Sequence, residues 1–171
     1  MKFLCLALFL FVSCEKIQEP VVTATPPPES QAAAVATAPA MAPSINVANV
    51  IVETAAGEKT TLTAEVAATP DERRVGLMHR ENLAEGHGMW FLFPEDVQDP
   101  FWMKDTLVSL DIIFVDSDKK VVDFFENTIP NSESLLTPRK PYRTVLEVSA
   151  GFVKKHQLQS GDILSLQVGP N

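Results

Sequence analysis

The residues with the most chemistry in the fewest positions are Phe101-Trp102-Met103-Lys104-Asp105-Thr106. Side chains of an extended segment alternate, so Phe101 and Met103 face one way while Trp102 and Lys104 face the other. If the first pair enters a core, the second sets an indole beside an ammonium, a pairing suited to an anionic or sugar-like ligand. Arg80, Asp105 and Asp111 are candidates to converge on it, Asp111 because it interrupts the apolar run Leu110–Val115. A structural reading stands beside this one. Trp102 would be a core aromatic, with Lys104, Arg80 and the aspartates forming ion pairs at a strand end. Glu147, flanked by Leu146 and Val148, is another inward-facing candidate with the same two readings.

Other chemistries find less support. His79, His87 and His156 show neither His-x-x-x-His nor Cys/His spacing. Met78, Met89 and Met103 each lie beside a His or Trp, and thioethers can hold Cu(I), although Met in an apolar strand usually fills core gaps. There is no Gly-x-Ser-x-Gly elbow, Walker loop, dinucleotide fingerprint or His-Glu-x-x-His. The pair Asp105 and Asp111 would serve glycoside hydrolysis only with one carboxyl of raised pKa, so the sequence leans away from an enzyme. The run Arg139-Lys140-Pro141-Tyr142-Arg143 is a positive spot that reads as a solvated loop. No cofactor is expected. A net charge of −8 argues against nucleic acid as a partner, since phosphate contacts need clustered Lys and Arg.

The positions of these residues depend on a chain of three segments. Residues 1–13 carry Lys2 and an unbroken apolar run, Phe3 to Val12, too short to cross a bilayer and suited to the h-region of a secretory signal. Phe11-Val12-Ser13-Cys14 resembles the bacterial lipoprotein signal, with Cys14 the residue to be lipidated and to become the first of the mature chain. Residues 14–44 hold six prolines and no aromatic residue, and read as a disordered tether. Residues 45–171 hold both tryptophans, the single tyrosine and neither cysteine, which excludes a disulfide framework or all-Cys zinc site there. The expected location is the cell envelope, with the membrane reached through the lipid anchor.

Within residues 45–171, Asn46–Glu53 and Thr60–Val66 read as a hairpin about Gly57. Thr69-Pro70-Asp71-Glu72 is a helix start with a capping box, and the helix is expected to continue through RRVGLM to His79 or Arg80. Strands are expected at Met89–Phe93, Phe101–Lys104, Leu110–Val115, Val121–Glu126, Thr144–Val148 and Ile163–Val168, with a short helix starting near Ala150. There is no internal repeat and no βαβ alternation. Many short strands with two short helices predict one mainly β sandwich or barrel, a monomeric domain.

The blocks RRVGLMHRENL, GHGMWFLF, FWMKDTLVSLDIIFVD, RTVLEVSAG and SGDIL resemble, in that order, the DUF192 (UPF0127) family over roughly Val47 to Val168. The resemblance implies a small jelly-roll- or barrel-like β domain and brings no established biochemical function. Asp105, Ser109 and Trp90 stand where the family usually has Asn, Pro and Leu. The reading that results is a membrane-anchored envelope lipoprotein whose domain is a non-catalytic binding or accessory module for a small polar or anionic ligand. The pocket would be formed by Arg80, Trp102, Lys104, Asp105 and Asp111. The alternatives are a carboxylate-dependent hydrolase acting on an envelope glycan and a Met/His Cu(I)-binding protein.

Overall fold

The computed structural model describes residues 46–167. The signal segment, Cys14, the tether and the end of the last strand at Val168 lie outside the described residues. Seven strands and two short helices follow in order: β1 (Asn46–Glu53), β2 (Lys59–Ala67), α1 (Pro70–Val75), β3 (His87–Val97), β4 (Leu110–Val115), β5 (Val121–Phe125), β6 (Tyr142–Ser149), α2 (Phe152–Lys155) and β7 (Ile163–Gln167). The strands form one sheet in the order β5-β4-β6-β3-β2-β1-β7. The sheet curls into a half-barrel, and its two edge strands meet at a bridge between Lys120 and Ile163. Val121 N donates to Asp162 O at 2.8 Å and Leu164 N to Lys119 O at 2.9 Å, so edge groups that would otherwise need water pair with each other.

The mainly β architecture agrees with the expectation from the sequence. β2 and β3 depart from it in one respect, because they lie side by side in parallel, Thr63 opposite His87 through Ala67 opposite Phe91. Parallel neighbours need a crossover, and residues 68–86 with α1 supply it, so one β-α-β unit is present after all.

Two apolar layers use the two faces of the sheet. The inner layer holds Val50, Val52, Leu62, Trp90, Ile113, Leu146 and Leu164, joined by Val153 of α2. The outer layer holds Met89, Phe91, Ile112, Phe114, Tyr142 and Val145, covered by Leu77 and Met103. Because side chains alternate, β4 serves both layers and every one of its six residues is buried. In the outer layer Phe91, Phe101, Phe114 and Tyr142 meet edge to face, with the Phe114 and Tyr142 centroids 4.9 Å apart.

The sequence's capping box forms as expected at α1. Thr69 Oγ1 accepts from Glu72 N at 3.2 Å and Glu72 Oε2 accepts from Thr69 N at 2.8 Å. The helix is shorter than expected and stops at Val75. Gly76 adopts φ +49° with ψ −131°, a combination open only to glycine, and Leu77 turns down into the outer layer. The expected strand Phe101–Lys104 is also corrected, since it forms one isolated β-bridge, Phe101 with Leu136, and one further backbone bond, from Met103 N to Ser132 O at 2.9 Å. Pro100 has no N–H to give, and Asp105 turns the chain at φ +53°. The alternation nevertheless survives, with Phe101 and Met103 in the outer layer and Trp102 exposed.

Candidate functional site

The five residues expected to share a pocket lie in three places. Asp111 is on the inner face of β4, wholly buried, and its two oxygens accept from Asn127 N and Val153 N, each at 2.8 Å. It ties the loop after β5 and the start of α2 to the sheet, which is a structural task. Arg80 reaches β2 instead, where Nη1 and Nη2 grip both oxygens of Glu65 at 2.5 Å. Glu65 pairs with Met89 across the parallel β2–β3 ladder, so it was brought near Arg80 by a topology the sequence did not announce. Asp105 is exposed, and it is its backbone carbonyl that is engaged, by His79 N at 2.8 Å. Only Trp102 and Lys104 come together as expected. The ammonium lies 5.4 Å from the indole centroid, and 43% of Trp102 remains exposed.

A different carboxyl completes the arrangement at Trp102. Glu147 of β6 pairs with Met89 on β3 and Ile112 on β4, and points into the outer layer. The strands approach closely there, because a Cβ on Gly88 would lie 2.5 Å from Glu147 O, so glycine is required. Glu147 is 6% exposed, and its carboxyl has no hydrogen-bond partner among the described residues, although its oxygens, unlike Trp90 Nε1, are not wholly sealed from solvent. Burial alone raises its pKa from 4.5 to about 8, so at neutral pH the group is mainly a neutral carboxylic acid, a donor as well as an acceptor.

Glu147 opens into a crevice of about 40 Å³ that reaches the surface beside Trp102. Arg73, Arg74 and the turn Gly76–Met78 form one wall, and Phe91, Phe101, Trp102 and Thr106 the other. The arginines at the rim are already engaged. Arg73 Nη1 donates to Ala68 O and, at 2.8 Å, to Leu92 O, with its guanidinium 4.9 Å from the Phe93 centroid. Arg74 pairs with Asp71 at 3.5 Å. Sequence reasoning singled out Glu147 from its apolar neighbours but not its association with Trp102, which depends on the loop 101–106 folding over β6.

Larger hollows among the described residues lack a buried carboxyl without a partner, including one of about 290 Å³ beside Met103, Glu126 and Leu136, where Glu126 is exposed. One of about 490 Å³ lies between β2, the start of β3 and α2, with His87 and His156 in its lining. There His156 Nδ1 is 3.2 Å from both Thr60 Oγ1 and Glu58 Oε1, and Lys155 is paired with Glu85. A third, about 390 Å³ and largely apolar, lies between α1 and β2 beside the Glu65–Arg80 pair. Among the described residues no group of three or more His, Cys, Asp or Glu is placed to hold a metal ion. Met89 and Met103 are buried in the outer layer, the gap-filling role. The basic run after Pro138 is also engaged, Arg139 with Asp123 and Arg143 with Asp96.

Comparison with known proteins agrees with this fold. A crystal structure from Sinorhizobium meliloti 1021, of a protein provisionally described as a transcription regulator, is 38% identical. The similarity covers 71% of this chain and 95% of that one, with a TM-score of 0.70. A protein of unknown function from Novosphingobium aromaticivorans DSM 12444 is 33% identical, covering 80% of this chain and 99% of that one, with a TM-score of 0.68. No curated protein matches. The model of the DUF192 family, described as an uncharacterized ACR, matches residues 51–166. The chain belongs to the DUF192 family.

Proposed function

We propose that this chain is an envelope lipoprotein, anchored through Cys14 and tethered by residues 15–44, whose domain binds a small, neutral, hydroxyl-rich ligand without transforming it. One observation carries the binding reading: a nearly buried carboxyl with no partner opens into a surface crevice beside an exposed tryptophan. A carboxyl with no protein partner and a path to solvent is open to a ligand group that takes the place of water there. The indole supplies the flat apolar platform on which a sugar ring stacks, and Lys104 adds a donor at its edge.

A raised carboxyl is also what a glycosidase uses as its general acid, and Glu147 would fit that role. The reaction needs a second carboxylate about 5–10 Å away across the scissile bond. Among the described residues no other carboxylate lines the crevice, and Asp111 is on the opposite face of the sheet. The binding reading therefore has the better support. The acidic net charge of −8 gives none to a nucleic-acid role such as the description of the Sinorhizobium relative would suggest.

Calorimetric titration of the full chain with a panel of soluble oligosaccharides tests the reading. Binding that disappears in both Trp102→Ala and Glu147→Leu, with both variants folded, supports it. Binding that survives both, or release of new reducing ends, contradicts it. Cys14→Ala should move the chain from the membrane to the soluble fraction, and unchanged membrane association would overturn the anchor.

A further inference from the structure

Resting on the sugar-binding reading, we infer that the crevice is a receptor for an acetamido group, so that the ligand is an N-acetylhexosamine whose ring lies on Trp102. The crevice's size, walls and floor point to it together. About 40 Å³ has room for roughly three water-sized groups, enough for the tip of a substituent and not for a sugar ring. Leu77, Phe91 and Phe101 give the lining its apolar area, Thr106 adds a hydroxyl, and Glu147 is its one carboxyl.

Four kinds of tip compete for this space. A hydroxyl would satisfy Glu147 and leave the aromatic walls uncovered. An ammonium would pair with Glu147 but would enter between Arg73 and Arg74, the only charged residues besides Glu147 in the lining. A carboxylate would be drawn by those arginines and then meet a second carboxyl in an apolar crevice, where an unpaired charge is costly to bury. An acetamido group satisfies the walls and the carboxyl together, its methyl against the aromatic walls and its carbonyl accepting from the Glu147 O–H, while its N–H, trans to that carbonyl, points away from Glu147. No bond is made or broken, and the proton stays on Glu147. Once ionised, Glu147 has no hydrogen to give the carbonyl, so binding weakens as the carboxyl titrates. From α1 only Arg73 and Arg74 reach the crevice as charged groups, and β3, β4 and the loop 101–106 contribute none to its lining.

The test compares N,N′-diacetylchitobiose with cellobiose, which has hydroxyls in place of the acetamido groups, on the full chain in a sugar-free detergent. The acetylated disaccharide should bind at least about tenfold more tightly, the discrimination expected for an apolar pocket that loses a methyl contact. Its affinity should fall as pH rises from about 6 to about 9, and Glu147→Gln, which keeps one donor and one acceptor, should bind with that dependence removed. Equal affinity for both disaccharides overturns the acetamido assignment and leaves the sugar reading standing. No binding of either, with the fold intact, overturns both. Tighter binding of a glutamine- or asparagine-containing peptide than of the acetylated disaccharide also overturns the assignment.

Discussion

Asp111 and Glu147 are carboxyls on adjacent strands, one residue apart in register: Asp111 lies opposite Val148, and Ile112 opposite Glu147. Both are buried among apolar side chains. Yet Asp111, on the inner face, accepts from two backbone N–H groups, while the Glu147 carboxyl, on the outer face, accepts from none among the described residues. The difference follows from what covers each face. The inner face is sealed by chain that supplies donors, the loop after β5 and the start of α2. The outer face is covered by the 76–78 turn and the 101–106 loop, which bring aromatic and aliphatic side chains and leave a gap. A buried acid within a complete hydrogen-bond set stabilises the fold. One without such a set is a liability to the fold, and its use has to be sought outside it.

The contrast predicts opposite signs for mutation on the two faces. Asp111→Ala should destabilise the domain by about 3–5 kcal/mol in urea unfolding, because it removes two charge-assisted hydrogen bonds and strands two buried N–H groups. A loss under about 1 kcal/mol would mean that Asp111 is not the structural member of the pair.

Glu147→Leu should do the reverse and stabilise the domain by about 2–3 kcal/mol at neutral pH while abolishing binding. The sign follows from a folded pKa of about 8 against an ordinary 4.5. The folded state holds the proton more tightly than the unfolded state, so Glu147 is least costly below about pH 4.5 and its cost grows until pH passes about 8. The stability gap between Glu147→Leu and the unaltered chain should widen over that window, as measured by parallel unfolding curves. Asp123 shows the opposite behaviour. Its carboxyl is held low chiefly by the hydrogen bonds from Arg139, so its contribution is present above the ordinary carboxylate range and lost as pH falls through its depressed folded value.

Smaller effects refine the boundary between the faces. Thr69→Ala removes the N-cap of the helix that forms one crevice wall, and should cost about 1 kcal/mol together with a modest loss of affinity. Trp102→Ala should change stability by less than about 1 kcal/mol, given the exposure of the indole, while removing most of the binding. A large loss of stability from Trp102→Ala would make it a core aromatic after all.

Much of the fold is legible in the sequence where the signal is local. The Thr69-x-x-Glu72 box forms, the β1–β2 hairpin turns at Gly57, and Leu110–Val115 is the strand its composition indicates. What is less legible depends on distant partners. Phe101–Lys104 has a strand's alternation but no strand beside it to pair with, and Arg80 meets Glu65 only because β2 and β3 run parallel. Asp111 was visible as a polar residue in an apolar run, but parity alone cannot tell which of two buried faces it enters. For the same reason Glu147 could be recognised as an inward-facing acid and not as the floor of a crevice.

The central claim is that Glu147 is kept as an unpartnered acid for a ligand. It is tested most directly by following its side-chain carboxyl carbon by NMR through a pH titration, alone and with N,N′-diacetylchitobiose. The account predicts a midpoint near 8 in the free protein, moving higher when the disaccharide binds the protonated form. A midpoint in the ordinary carboxylate range, or one near 8 that the disaccharide does not move, would contradict it.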